Sequence, residues 1–277
     1  MLAVFAATSA GALRSGGAQQ IDLETLLARH RESIGSAESL AAVKTRILAG
    51  TSQVIFRTAP VGQAIGKAVL ASEGSKSLVG MSFPSPVYPR EQLGYNGTSF
   101  MAAFATPGTR SVLGNFLMTN HLIFKEGLMG GVLSSAWPLT GPSPANGQWK
   151  YVGSKKIDGH PLYEVKYSPR GGSDLAITMY FETETFRHVR TEYQRVIAAQ
   201  IGSRSMTNVE TRESRYKMTE EFSLFRPESG LTLPHIYSIK LEVDTQNGTF
   251  LADWIIKLTQ FDFNQKLDPA AFTIQGN

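Results

Sequence analysis

His235-Ile236-Tyr237-Ser238-Ile239-Lys240-Leu241-Glu242-Val243 is the stretch whose reading decides the fold. In an extended chain side chains alternate, so His235, Tyr237, Ile239, Leu241 and Val243 share one face while Ile236, Ser238, Lys240 and Glu242 share the other. This predicts a strand with one buried and one wet face. The same period recurs where Leu175, Ile177, Met179 and Phe181 alternate with Ala176, Thr178, Tyr180 and Glu182. Residues 151–157 and 162–167 flank Asp158-Gly159, a dipeptide that favours the positive φ angles of a tight hairpin. Further strands are expected over 187–196, 214–222, 234–243 and 249–263, with Gln246-Asn247-Gly248 as a turn.

Upstream, short β-prone stretches at 54–58, 67–71, 77–83 and 99–104 are punctuated by Pro60, Gly62, Gly74, Pro84, Pro86 and Asn96-Gly97. Asn96-Gly97 predicts a second hairpin with both residues at positive φ. The period is helical near the start, where Leu23, Leu26, Leu27 and Ile34 mark one face after Asp22, an N-cap residue, and before Gly35. A short second helix is expected from Ser36 or Ser39 through Ala42. Residues 109–137 interrupt the strands with a much more apolar, helical segment, which Gly127 and Gly130-Gly131 are expected to break in two. A helix apolar on nearly every side must be covered on nearly every side. The insertion is therefore expected against, or inside, the sheet.

Composition agrees with a mainly β domain. Charged residues are 18% of the 277, below the roughly 25% of an average soluble domain, while 26 Gly and 13 Pro recur between short runs. The net charge of +4 does not predict nucleic-acid binding. Its basic residues are interleaved with acids, as in Arg212-Glu213-Ser214-Arg215-Tyr216-Lys217-Met218-Thr219-Glu220-Glu221. Zero cysteines exclude disulfides, thiolate metal sites, a cysteine nucleophile and a cysteine-linked lipid anchor. Residues 1–18 differ in kind: an apolar, Ala-rich run from Leu2 to Leu13 precedes Arg14-Ser15-Gly16-Gly17-Ala18. That run is too short to span a bilayer but suits a secretory h-region, although no basic residue precedes it. A signal peptide over 1–18 and a single domain over 19–277 are expected.

No residue pattern spells a reaction. Gly62-Gln63-Ala64-Ile65-Gly66-Lys67-Ala68 is one residue short of a phosphate loop and lacks its hydroxyl. Ser214-Arg215-Tyr216-Lys217 has a Ser-x-x-Lys spacing, which works only on a helix, and this segment reads as a strand. His30, His121, His160, His188 and His235 lie far apart and are expected at the surface or partly buried. Glu182/Glu184 and Glu220/Glu221 read as turn and exposed-strand residues. The surplus of Phe, Leu and Met in the insertion fits ordinary core, and it equally fits a cavity for variable apolar ligands, since Met is adaptable.

The order of several weak motifs resembles the periplasmic lipoprotein-carrier superfamily, the LolA/LolB-like proteins also called outer-membrane lipoprotein-sorting proteins. The motifs are Leu26-Leu27-Ala28-Arg29-His30 through Ile34-Gly35, Ala41 to Lys44, Gly94-Tyr95-Asn96-Gly97, and Tyr151-Val152-Gly153 through Ile157-Asp158-Gly159 with Tyr163. Gly230-Leu231-Thr232-Leu233-Pro234 and Asn264-Gln265-Lys266-Leu267-Asp268-Pro269-Ala270-Ala271-Phe272 complete the series, which covers about residues 21–274.

The resemblance implies an incomplete antiparallel β-barrel of about ten or eleven strands wrapped around an N-terminal helix and a central helical lid. It further implies a soluble, periplasmic, noncatalytic carrier that takes up acyl chains of lipoproteins or lipids and exchanges them with inner- and outer-membrane transfer proteins. No cofactor, no metal and no nucleic acid are expected, and a monomer is. Candidate cavity residues are Phe116, Met118, Leu122, Met129, Leu133, Met179, Phe181, Tyr237, Ile239, Leu241, Trp254 and Ile256. Arg46, on the first strand, is the candidate counterpart of the carriers' lid-contacting arginine, although no motif here matches that arginine. The alternatives are a structural or interaction module of the cell envelope with a dry core and, less favoured, a hydrolase.

Overall fold

The computed structural model describes residues 21–58, 61–141, 147–199 and 213–275. The expected signal peptide lies outside them. Two helices come first, α1 (Leu23–Ile34) and α2 (Ala37–Ala42), followed by β1 (Thr45–Phe56), β2 (Gly62–Glu73), β3 (Lys76–Ser82), β4 (Arg90–Tyr95) and β5 (Phe100–Ala102). The insertion holds α3 (Val112–Thr119), α4 (Leu122–Lys125) and a 3₁₀ turn at Gly131–Leu133. Seven strands follow: β6 (Gln148–Ile157), β7 (His160–Ser168), β8 (Ala176–Glu182), β9 (His188–Ile197), β10 (Ser214–Glu228), β11 (Leu231–Thr245) and β12 (Gly248–Phe263).

The twelve strands of the described residues form one open antiparallel sheet in the order β5-β4-β3-β2-β1-β12-β11-β10-β9-β8-β7-β6. Each half is a run of hairpins, and β1 paired with β12 joins the halves, from Arg46 opposite Phe263 to Phe56 opposite Ala252. The sheet is thus an incomplete barrel, as expected, with twelve strands rather than ten or eleven. At β1–β12 the register slips between Ala49 and Gly50. A Cβ at Gly50 would collide with the Lys257 carbonyl, so glycine permits the close approach.

The alternation read from residues 235–243 holds. His235, Tyr237, Ile239, Leu241 and Val243 are all buried, while Glu242 is exposed and its neighbours on that face are half-buried. On the outer face Arg190 pairs with Glu192 (2.7 Å) and Glu221 (2.6 Å), Lys240 with Glu221 (2.7 Å) and Lys217 with Glu192 (3.4 Å). These pairs, cross-strand except for Arg190–Glu192 within β9, tie up the interleaved charges, each worth at most about 1 kcal/mol at a partly solvated site.

Local signals explain the helices and turns, with two corrections. The Asp22 carboxylate accepts from the Thr25 amide at the N-cap of α1, which buries Leu26, Leu27, His30 and Ile34. Asp158 and Gly159 both take positive φ, at 50° and 87°. At Asn96-Gly97 only the glycine does, because the Asn96 side-chain Oδ1 accepts from the amides of Thr98 and Ser99 and makes a longer loop between Tyr95 and Phe100. The insertion's first break falls at Asn120 and His121, ahead of Gly127. Asn120 turns its side-chain amide back onto the Phe116 carbonyl (2.8 Å), in competition with the helix ladder. Leu113, Leu117, Ile123, Phe124 and Leu128 are fully buried in the core that the curled sheet encloses.

Candidate functional site

Side chains from four separate elements hold the later part of the insertion. From β10, Glu220 accepts the Gly130 amide (2.7 Å), the Tyr193 hydroxyl (2.6 Å) and the Tyr237 hydroxyl (2.5 Å). From β1, the Arg46 guanidinium donates to the Val132 carbonyl. Ser72 on β2 accepts the Ser135 amide (2.9 Å), and on α1 the His30 Nε2 accepts the Trp137 indole N–H (3.1 Å). His30 Nδ1 lies 3.0 Å from the Phe186 carbonyl, so its partners define a neutral ring with the proton on Nδ1. His188 stacks on Trp137, with centroids 4.7 Å apart.

Burial sets the electrostatics of these anchors. Loss of solvent lowers His30 to about 4, against the raising effect of the Phe186 carbonyl, and holds His188 well below the usual imidazole range. It raises Glu220 above the ordinary carboxylate range despite its three donors, and brings Arg46 down to about 10. Among the described residues Arg46 Nε has no hydrogen-bond partner. Three expectations are corrected here. Glu220 is fully buried rather than exposed on its strand, Glu221 is half-buried, and His30, His188 and His235 are buried rather than at the surface. Glu220 and His30 meet polar partners that arrive only in the folded chain, whereas His188 bonds Thr191 on its own strand and His235 bonds Glu228 across the β10–β11 hairpin. Arg46 does contact the insertion, at its 3₁₀ turn.

The apolar candidates separate by environment. Met179, Phe181, Tyr237, Ile239, Leu241 and Ile256 are packed in the core, with Met118 and Leu122 half-buried against it. Met129 and Leu133 border a void of about 10 Å³, at the lower limit for a single water. Phe116 lines a concavity of about 310 Å³ with Tyr216 and Ile197. Trp254 lines a wider groove of about 510 Å³ at the N-terminal end of α3, within the roughly 300–1,000 Å³ of small-molecule sites.

That groove is larger than the concavity at Phe116. Phe56, Val61, Val87, Val112 and Phe250 form its walls, and Val61 and Val87 are exposed to 77% and 76%. Its floor is polar. The Trp254 indole N–H donates to the Tyr88 hydroxyl (2.8 Å), which donates to Glu91 Oε2 (2.5 Å). Glu91 also bonds the side chain of Ser111, whose hydroxyl oxygen accepts the Gly114 amide as the N-cap of α3. A Cβ on Gly114 would press within 3.2 Å of Glu91 Oε1, so the glycine leaves room for the carboxylate.

Sequence reasoning missed Glu91, yet strand parity carries the signal. Glu91 shares a face with Leu93 and Tyr95, as Glu220 does with Met218 and Phe222, and all six are buried. Burial lifts Glu91 to about 7, against the lowering effects of Ser111 and Tyr88. Between the unfolded value near 4.5 and about 7 the folded chain keeps a proton that the unfolded chain has lost, so this group's contribution to stability falls as pH rises. Urea denaturation at pH 4.5 and 7.5 should show the native chain losing up to about 3 kcal/mol more than Glu91→Gln over that interval. The opposite slope from His30 is common to both proteins and cancels. Identical pH slopes would refute this assignment.

Gly62 to Ala68 lies in β2, and Ser214 and Lys217 both lie in β10, so neither forms the motif it faintly spells. Among the described residues no group of three His, Asp or Glu could hold a metal ion, and no helix is long and apolar enough to cross a membrane.

No family model and no curated protein matches the chain. Solved structures do. It is similar to a LolA superfamily protein from Nitrosomonas europaea at 12% identity and a TM-score of 0.50, covering 92% of this chain and 99% of that one. An outer membrane lipoprotein-sorting protein domain from Vibrio parahaemolyticus (10%, TM-score 0.46) and a DUF1329 family protein from Desulfovibrio piger (10%, TM-score 0.45) each cover 90% of this chain and 95% of their own. At such identities the likeness concerns fold alone, and it extends over 92% of the chain: this chain has the LolA-like fold.

Proposed function

We propose that this chain is a noncatalytic periplasmic carrier or sensor of lipidated protein or lipid, in which the groove beside α3 shelters an acyl chain and the insertion acts as a lid. The observation that supports it most is the 510 Å³ groove with apolar walls, opening beside the insertion of a LolA-like sheet. Burial of a chain there is worth about 0.8 kcal/mol per methylene and needs no directional contact. Arg46, Glu220 and His30 latch the insertion through its own polar groups, so it can be released as a unit. Loading and unloading partners in the inner and outer membranes fit this reading, as does a monomer with no cofactor and no nucleic acid.

Organic extraction and mass spectrometry of the purified full chain should find acyl species. A fluorescent diacyl lipid should bind saturably, and Val87→Glu should weaken it at least about tenfold, since the new carboxylate would lose solvent on binding. Val87 is exposed, so the variant should keep its fold. No extracted acyl species together with no saturable binding would overturn the proposal. That result would favour a cell-envelope interaction module with a dry core, the reading supported by the full burial of Met179, Phe181, Tyr237, Ile239, Leu241 and Ile256.

A further inference from the structure

We infer that the groove beside α3 selects an acyl chain ending in a carboxylate, a long-chain fatty acid, and that Arg110 pairs with that carboxylate. The inference rests on the proposed acyl-binding role and names its ligand class. Arg110 is the only charged side chain among the described residues lining the groove. Its guanidinium is already oriented: Nε donates to the Ala102 carbonyl (2.8 Å), Nη2 lies 3.8 Å from the Met101 sulfur, and the group sits 4.5 Å from the centre of the Phe104 ring.

What the guanidinium lacks is an anion. No described carboxylate lies within ion-pair distance of it, and the acids nearest the groove are engaged elsewhere. Asp253 accepts Arg57 (2.6 Å), and Glu91 lies buried beneath the floor on Tyr88 and Ser111. A cation held at the wall of an apolar groove, with one edge committed and its remaining N–H donors free for a ligand, matches the planar fork of one carboxylate. A neutral alcohol would leave that charge unbalanced as the groove dried, and a cationic amphiphile would be repelled. A single guanidinium balances a single negative charge, which favours the carboxylate over a phosphate dianion.

Isothermal titration of the full chain with palmitate, hexadecanol and hexadecyl phosphate, below their aggregation limits, tests this. Palmitate should bind at least about tenfold more tightly than hexadecanol. Arg110→Gln should abolish that difference by weakening palmitate, with an unchanged circular-dichroism spectrum and urea midpoint reporting a folded protein, and Arg110→Lys should restore part of it. Equal affinity for palmitate and hexadecanol, or a palmitate preference that survives Arg110→Gln, would overturn the role of Arg110 and leave the groove standing. Tighter binding of hexadecyl phosphate than of palmitate would overturn the carboxylate. If none of the three binds, this inference and the acyl-binding role fall together.

Discussion

Glu220→Ala is expected to cost about 3–5 kcal/mol of folding stability, read as a lower urea midpoint at unchanged slope. The reason is what the carboxylate leaves behind. Three buried donors, the Gly130 amide and the hydroxyls of Tyr193 and Tyr237, converge on its two oxygens, and all three lose their acceptor at once. Each buried donor left without a partner costs about 1–3 kcal/mol. The total is smaller than the sum, because the substitution also relieves the burial penalty that raises Glu220 above the usual carboxylate range. Glu220→Gln keeps the volume and one acceptor oxygen and should cost clearly less. Hydrogen exchange should also quicken at the amides from Gly130 to Trp137 in the alanine variant, since the insertion loses its anchor to β10. A loss below about 1 kcal/mol, with unchanged exchange, would show that packing alone holds the insertion.

Trp254→Ala is the second large effect, also about 3–5 kcal/mol. Trp254 is fully buried among the core residues of β1, β11 and β12, and its removal opens one of the largest cavities a single substitution can make here. It also takes the indole donor from the Tyr88 hydroxyl, one bond from Glu91 and two from the N-cap of α3. Trp254→Phe separates the two causes, since it keeps most of the apolar area and loses only the hydrogen bond, worth about 0.5–1.5 kcal/mol. Thermal or urea unfolding of the pair decides the matter. Equal losses in both variants would mean that the hydrogen-bonded chain outweighs the packing. Because Trp254 lines the groove, its alanine variant should also change the affinity of the diacyl probe.

The elements that could be read directly were those whose cause is local. The face shared by Tyr237, Ile239 and Leu241, the Asp22 cap and the Asp158-Gly159 turn each depend on residues a few positions apart. Asn96-Gly97 was half legible: a turn is there, but the choice between two positive-φ residues and an Asn96 side-chain loop was settled by how β4 and β5 align. The break at Asn120 was missed because glycine is the louder signal, whereas a buried asparagine turned onto its own helix is silent in composition.

The amino-acid sequence by itself thus determined the antiparallel meander, the helical start and an apolar insertion in need of cover, since periodicity and turn chemistry act within a few residues. Tertiary structure alone decided which polar groups would be buried and with whom: Glu220 with an amide 90 residues away, His30 with an indole 107 away, Tyr88 with an indole 166 away. A buried carboxylate or imidazole is tolerated only where its partner's atoms arrive. That arrival depends on the register of twelve strands and the seating of the insertion, which no short window of sequence contains.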